Sequence, residues 1–247
     1  MSFLITDIPK IMRNKNWGIA AQLLERWFAG LPNSVPKNGS PCLNIVKLDW
    51  VLQFQSAKLA YQEIFEKKLW KTPNAQKNIA FILKRKGKLR PGMCTLYDST
   101  EFVLPVNHKD QIQYHSVGGG KIEMLLGDIN HLKAALARFN FYITVHGTIT
   151  APKFGTKNLY KFTINKIGVY VKDSYDFNDV PGENQPLGNW DIDDNSVGRT
   201  PFNGGTSVYN SDFREWRTAN ENGGDYFIYS DIRFTKLKTP DVIWING

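Results

Sequence analysis

The chain reads as an α+β protein, with a helical N-terminal region over residues 1–95 followed by an antiparallel, β-rich C-terminal domain over residues 96–247. Three observations predict this. Apolar residues recur at a period near 3.6 up to about residue 90, the repeat of an amphipathic helix. After about residue 95 the period changes to 2, with Gly-, Asn- and Pro-rich loops between the runs, as in half-exposed antiparallel strands. Finally, 42% hydrophobic and 13% aromatic residues supply a core, while no stretch approaches the about eighteen consecutive apolar residues of a membrane span.

The helices follow from spacing and stop signals. Ile19, Leu23, Leu24, Trp27 and Phe28 share one face and end before Gly30 and Pro32. Residues 48–70 read as one amphipathic helix, with Val51, Leu52, Leu59, Ile64, Phe65 and Leu69 on the apolar side. A third helix starts at Thr72-Pro73, Thr72 as N-cap and Pro73 as first helical residue, and turns Ile79, Ile82 and Leu83 inward. Short strands are expected at Thr95–Tyr97 and Glu101–Leu104, then a tight turn at Gly118-Gly119-Gly120. A helix over Ile129–Phe139 takes Asp128 as its cap, and strands follow at 141–149, 159–164, 167–171, 226–234 and 242–245.

Charge and leader bear on partners and compartment. Residues 1–100 hold 16 Lys and Arg against 6 Asp and Glu, and the remainder 15 against 17. The basic half suits an anionic partner, a membrane surface or nucleic acid. The N-terminus shows no basic start, apolar run and small-residue cleavage site, so no cleavable export signal is expected. Cys42 and Cys94 stand 52 residues apart without metal-ligand spacing, and read as ordinary thiols.

Chemistry concentrates after the strand Ile167–Val171. Asp173, Tyr175 and Asp176 fall where that strand runs into a loop, and two carboxylates with a phenol on a rigid element suit a divalent cation or acid and base work on a phosphate ester. Seven acids and no Lys or Arg lie between Asp173 and Gly198. Such a loop requires a hard cation or basic side chains from elsewhere, with Arg199, Arg214 and Arg217 available. Asp191-Ile-Asp193-Asp194-Asn195 matches only part of a calcium loop, lacking the glycine and closing glutamate. Of four histidines, His115 beside the glycine run and His146 in a strand are the candidates. No nucleophile elbow or completed phosphate loop occurs. Tryptophans and arginines around the loop keep nucleic-acid binding open, although the local acidity disfavours it.

Asp173-Ser174-Tyr175-Asp176-Phe177-Asn178 resembles the catalytic segment of the colicin M family, bacteriocins that cleave the lipid-linked peptidoglycan precursor between the isoprenoid and its pyrophosphate. In that family an Asp-x-Tyr-Asp run, often followed by Phe-Asn, succeeds antiparallel strands. Gly147-Thr148-Ile149-Thr150 precedes it here, and a helix-like segment, Phe213 to Ala219, and the closing strand Gly224 to Tyr229 follow. The resemblance covers roughly residues 115–235 and implies a colicin M-like C-terminal fold. It implies an antibacterial hydrolase in which Asp173 and Asp176 hold Mg²⁺ or Ca²⁺ or act as base, and Tyr175 orients the phosphate. The family's His-Arg pair is replaced by Gly182-Glu183. With an insertion in the loop Arg199 takes the arginine's place and Gly198 the histidine's; either His115 or His146 then supplies the histidine, or the chemistry differs, or the domain is not a hydrolase.

The C-terminal half also resembles an uncharacterised family encoded beside type VI secretion spike genes. That implies a toxin made in the cytoplasm, carried by a secretion-spike protein, neutralised by a cognate immunity protein and active in the periplasm of a target bacterium. Two other functions fit the residues: a metal-dependent nuclease toxin, and a non-enzymatic secretion adaptor that binds through its helical region.

Overall fold

A computed structural model describes residues 3–97, 111–118, 129–152, 158–198 and 205–247. N-terminal helices precede a strand-rich region whose strand pairings are antiparallel, the α+β arrangement expected. The expected strand at Glu101–Leu104, the Asp128 cap, Gly119, Gly120 and Arg199 lie outside the described residues. The chain forms two compact units, each assembled from three segments: Met1–Lys47, Gly118–Phe139 and Lys172–Tyr229 in the first, Leu48–Val117, Asn140–Val171 and Ser230–Gly247 in the second.

In the first unit, α1 (Ile8–Asn14) and α2 (Gly18–Ala29) pack together, joined by three residues. The short α1 was not expected, because its few apolar positions, Ile8, Ile11 and Met12, are too brief to show a period, though all three are buried. On α2 three residues of the anticipated stripe, Leu23, Leu24 and Trp27, are 2% exposed or less, while Ile19 and Phe28 are only partly buried. Its first turn lacks a side-chain cap from Trp17. The orphan N–H of Ile19 donates instead to His131 Nε2 at 3.2 Å, a partner supplied by α6 (His131–Leu136). Asn130, not Asp128, caps that helix by accepting from Lys133 N–H at 3.0 Å.

The His131 contact predicts a pH effect. An Nε2 that accepts a hydrogen bond must be unprotonated, and burial lowers the His131 pKa. The unfolded chain therefore takes up the proton first as pH falls through about 6.5, and stability declines below that value. His131→Asn should flatten this part of a thermal-denaturation profile between about pH 7 and pH 5.

The second unit carries α3 (Leu48–Val51), α4 (Gln55–Glu66) and α5 (Pro73–Arg85). The single helix expected over residues 48–70 is thus interrupted. Phe54 is extended, with φ −89° and ψ 128°, and Lys68 takes the left-handed conformation at φ 46° before a 3-10 turn at Leu69–Lys71. Breaking the helix there brings Trp70 inward, at 1% exposed, and leaves Leu59 outside, at 50%. The start of α5 matches expectation: Thr72 Oγ1 accepts from Ala75 N–H at 3.2 Å, with Pro73 in the first turn.

Among the described residues, five strands complete this unit. β3 (Phe139–Thr150) pairs on one side with β1 (Gly92–Thr95) and β2 (Tyr114–Val117) and on the other with β4 (Leu159–Tyr175), which pairs with β9 (Arg233–Asn246). The two strands expected at 159–164 and 167–171 are one 17-residue strand, and the polar Asn-Lys step between them is a register shift at Ile164/Lys166 against β9. Phe141, Phe162 and Ile164 are buried to 0% exposure between less buried neighbours, the alternation that period 2 requires, whereas β4 is buried continuously from Ile167 to Lys172.

Asp241 of β9 shows how polar groups are sealed at the sheet. It accepts from Trp70 Nε1 at 3.0 Å and Lys71 Nζ at 2.9 Å. Asp241→Ala leaves the buried Trp70 N–H without that acceptor and should cost about 2 kcal/mol in urea denaturation. Asp241→Asn should cost less.

Candidate functional site

β4 continues into the first unit, where Lys172, Asp173, Ser174 and Tyr175 face Tyr229, Ile228, Phe227 and Tyr226 of β8 (Tyr226–Tyr229) in antiparallel register. Alternation places Asp173 and Tyr175 on one side of the strand, opposite Ile228 and Tyr226. Tyr175 stacks on Tyr226 with centroids 5.3 Å apart and planes at 17°, and touches Phe177 edge-on at 5.8 Å. Burial pushes its phenol well up, so it keeps its proton at neutral pH. Asp173 is half-buried. Desolvation holds its carboxyl well above the usual range; a backbone hydrogen bond from Ser174 opposes this and the charge of Asp176 adds to it. Asp176 is the first residue past the strand, and its Oδ1 accepts from Asn178 N–H at 3.1 Å to start the following turn.

A third carboxylate, Asp225, anchors this strand end. It lies fully buried just before β8. Its Oδ1 accepts from Trp27 Nε1 at 2.8 Å and from Arg217, and its Oδ2 from Asn178 Nδ2 at 2.9 Å. Burial raises its pKa, donation by Trp27, Arg217 and Asn178 opposes the rise, and Asp176 adds to it. Asn178 also donates to the Ser34 carbonyl at 3.1 Å, so one amide fixes the turn that carries Asp176. Arg217 belongs to α7 (Asn210–Asn220) and lies over the Trp27 ring at 5.1 Å. Around them Trp27, Phe177 and Phe213 pack, the last two stacked at 3.8 Å with planes 4° apart.

Glycine permits the close approach behind Asp225. A Cβ on Gly39 would meet the Asp225 carbonyl oxygen at 2.2 Å. Gly39→Ala is therefore an overpacking change that displaces the segment holding Asp225, and should destabilise by about 1–3 kcal/mol in chemical denaturation.

The acidic loop is neutralised piecemeal. Asp179, its side chain 6% exposed, accepts from Arg214 at 2.6 Å, Asn210 at 2.6 Å and Gln185 N–H at 3.1 Å. Burial alone would raise its pKa, but these donors outweigh it and hold the carboxyl low. Asp191 Oδ1 accepts from the backbone N–H of Asp193 and Asp194 at 2.8 and 3.1 Å. The calcium-loop-like run is thus the turn joining β5 (Pro186–Asp191) to β6 (Ser196–Gly198), in a three-stranded sheet completed by β7 (Thr206–Tyr209). Among the described residues no three His, Cys, Asp or Glu side chains are grouped to hold a metal ion.

A model of the family of unknown function DUF6402 matches residues 3–200 and 196–245, nearly the whole chain. The chain belongs to the DUF6402 family. No curated protein and no solved structure matches it. In this DUF6402 protein the described residues bring Asp173, Tyr175 and Asp176 together at the end of β4, with Asp225 beside them. His115 and His146 belong to the second unit. There His115 Nε2 lies 3.3 Å from Glu63, and His146 Nδ1 shares a 2.7 Å hydrogen bond with Thr95 Oγ1. Burial, then the charge of Lys166, lowers the His146 pKa. Arg199 is outside the described residues. Both cysteines are buried thiols outside any disulfide.

Of the residues that hold this strand end in the DUF6402 chain, the sequence pointed to Arg217 only as a cation available to the acidic loop and to Asn178 only as the end of the motif, and it gave Asp225 and Trp27 no part in the site. Their link spans 198 positions between Trp27 and Asp225, which no local pattern conveys. The available signal was the Asn178 of the Phe-Asn extension and a lone Asp before the closing Tyr-Phe-Ile-Tyr strand.

Proposed function

We propose that the protein is an antibacterial hydrolase that cleaves a lipid-linked peptidoglycan precursor at the bond between the isoprenoid oxygen and its pyrophosphate. One observation carries this reading. Asp173, Tyr175 and Asp176 share a strand end in which burial raises the pKa of Asp173 well above the usual carboxyl range while Tyr175 stays a phenol, which favours a proton donor beside a hydrogen-bond donor for phosphate oxygens. The similarity of the same six residues to the colicin M segment gives the substrate class.

In the proposed reaction water adds to the phosphorus next to the isoprenoid. Its proton passes to the Asp176 carboxylate. The oxygen–phosphorus bond breaks, and the departing isoprenoid oxygen takes the proton from Asp173, leaving an isoprenoid alcohol and a pyrophosphorylated sugar. Tyr175 orients the phosphate, and Arg199 offsets developing charge on its oxygens. Mg²⁺ is commonly held by one or two carboxylates together with substrate phosphate; Asp176 would hold it with the substrate phosphate, and Asp173 would join only after giving its proton to the departing oxygen. When bound, such an ion draws charge from the phosphate oxygens. Asp225 is committed to Trp27, Arg217 and Asn178 and acts by holding the turn.

Delivery by a secretion-spike protein, protection of the producer by an immunity protein and action in the periplasm of a target cell belong to the same proposal. Among the described residues no helix is long and apolar enough to cross a membrane. The deciding experiment incubates purified protein with the lipid-linked precursor and Mg²⁺ and follows release of the pyrophosphorylated sugar. Absence of release, together with degraded nucleic acid in intoxicated cells, would replace this reading by the nuclease one.

A further inference from the structure

The charge asymmetry of the chain sharpens when its residues are sorted by unit. The second unit holds 18 Lys and Arg against 8 Asp and Glu, whereas the first holds 13 against 15. An excess of one sign draws a partner of the other. In the second unit the helices take one face of the sheet: Tyr61 of α4 meets the Phe141 ring at 5.9 Å and Thr235 Oγ1 at 3.3 Å, and Trp70 reaches Asp241 at 3.0 Å. Alternation sends the intervening residues to the opposite face. Contacts between strands agree. Tyr142 lies between Tyr114 and Tyr170, with centroids 6.1 and 5.8 Å away, and His146 bonds Thr95 and meets the Phe234 ring at 6.4 Å.

This outward face is aromatic and cationic. Tyr114 of β2 is 51% exposed, and Phe234 and Trp244 of β9 are 38% and 57% exposed. Phe234 lies across Gly168, where a Cβ would meet its ring at 2.7 Å. Between the rings stand lysines: Lys166 is opposite Lys236 in the β4–β9 register, and Lys161 is opposite Trp244. None of the three has an ion pair among the described residues. No Asp or Glu of these strands falls on an outward position among the described residues, since Asp241 is turned to Trp70 and Lys71.

Rings on the open face of a sheet, with cations between them, suit unstacked bases joined by phosphates. A neutral glycan would leave the lysines unused, and a bilayer would use the charge but not single rings spread over β2 and β9. We infer that the outward face of this sheet binds single-stranded nucleic acid, with bases stacked on Tyr114, Phe234 and Trp244 and phosphates beside Lys161, Lys166 and Lys236. The face uses none of Asp173, Tyr175 and Asp176, so it and the proposed hydrolysis stand or fall separately.

The test is fluorescence anisotropy of the full chain with a labelled oligo(dT) of about 12 nucleotides, within the span of single-strand sites. The matching oligo(dA)·oligo(dT) duplex and phosphatidylglycerol vesicles are the comparisons. Oligo(dT) should bind at least about tenfold more tightly than the duplex, whose bases are already stacked. Trp244→Ala and Phe234→Ala should each weaken it about tenfold, and Trp244→Phe, which keeps a ring, should retain most of the affinity. Replacing Lys161, Lys166 and Lys236 together by Gln should lower the slope of log affinity against log salt by about 2, at about 0.7 per phosphate contact. Thermal melting of each variant separates lost binding from lost folding, and the exposed lysine changes read the face even where a ring variant fails to fold. Duplex bound as tightly as oligo(dT), or oligo(dT) binding that survives both the ring and the lysine changes, overturns the inference. So does vesicle binding that depends on Trp244 while oligo(dT) binding does not.

Discussion

Release of pyrophosphorylated sugar from the lipid-linked precursor, the proposed reaction, should fall by about 10²–10⁴-fold in both Asp176→Asn and Asp173→Asn, the range expected when a positioned acid or base is lost. The two variants differ in stability, which separates a chemical role from a structural one. Asp173 has a raised pKa in the folded state, so the folded chain binds more protons than the unfolded one between the two values. Its contribution to stability is therefore greatest at low pH and declines as pH rises from about 3.9 toward the folded value. An amide in place of this carboxyl carries no charge to desolvate, and Asp173→Asn should melt higher than the natural chain at about pH 7 while hydrolysing less. A variant that melts lower and loses activity in proportion would make Asp173 a structural residue. Asp176→Asn keeps an acceptor for Asn178 N–H and should leave the melting temperature nearly unchanged.

Asp225→Ala should produce the largest loss of stability among these variants. It strands the Arg217 guanidinium, 10% exposed at its side chain, without its carboxylate, and removes the acceptor of the Trp27 N–H. Breaking one side of a buried ion pair costs about 3–5 kcal/mol, a large part of the about 5–15 kcal/mol that holds a domain folded. The double variant Asp225→Ala with Arg217→Met should recover part of that loss, since no buried charge is then left alone. Urea denaturation of the two singles and the double measures the coupling. If the double is no more stable than Asp225→Ala, the pair is not what holds this region.

What sequence conveyed depended on whether a pattern was local. The stripe on α2, the Thr72-Pro73 start of α5 and the alternation in β3 each repeat over a few residues, and each is present. The break inside residues 48–70 was invisible because apolar residues continue across it, and only the backbone at Phe54 and Lys68 departs. The polar step at Asn165-Lys166 divided β4 in the sequence, whereas a strand absorbs such a step as a register shift. At the candidate site the motif residues were legible as a strand terminus. The acidic loop was harder, since its charges are met one at a time, by Arg214 for Asp179 and by backbone donors for Asp191. Asp225 was hidden because its donors come from three separate stretches of chain.

The order in which segments enter the two units also governs how the protein can be dissected. Each unit draws on residues near the start and well past the middle of the chain. A fragment beginning at residue 96 would keep Asp173, Tyr175 and Asp176 yet lack Trp27, the N–H donor to Asp225, and Gly39 behind it. Inactivity of such a fragment would therefore report a collapsed scaffold rather than a lost delivery segment. Point substitutions, not deletions, are the means of assigning work to either region.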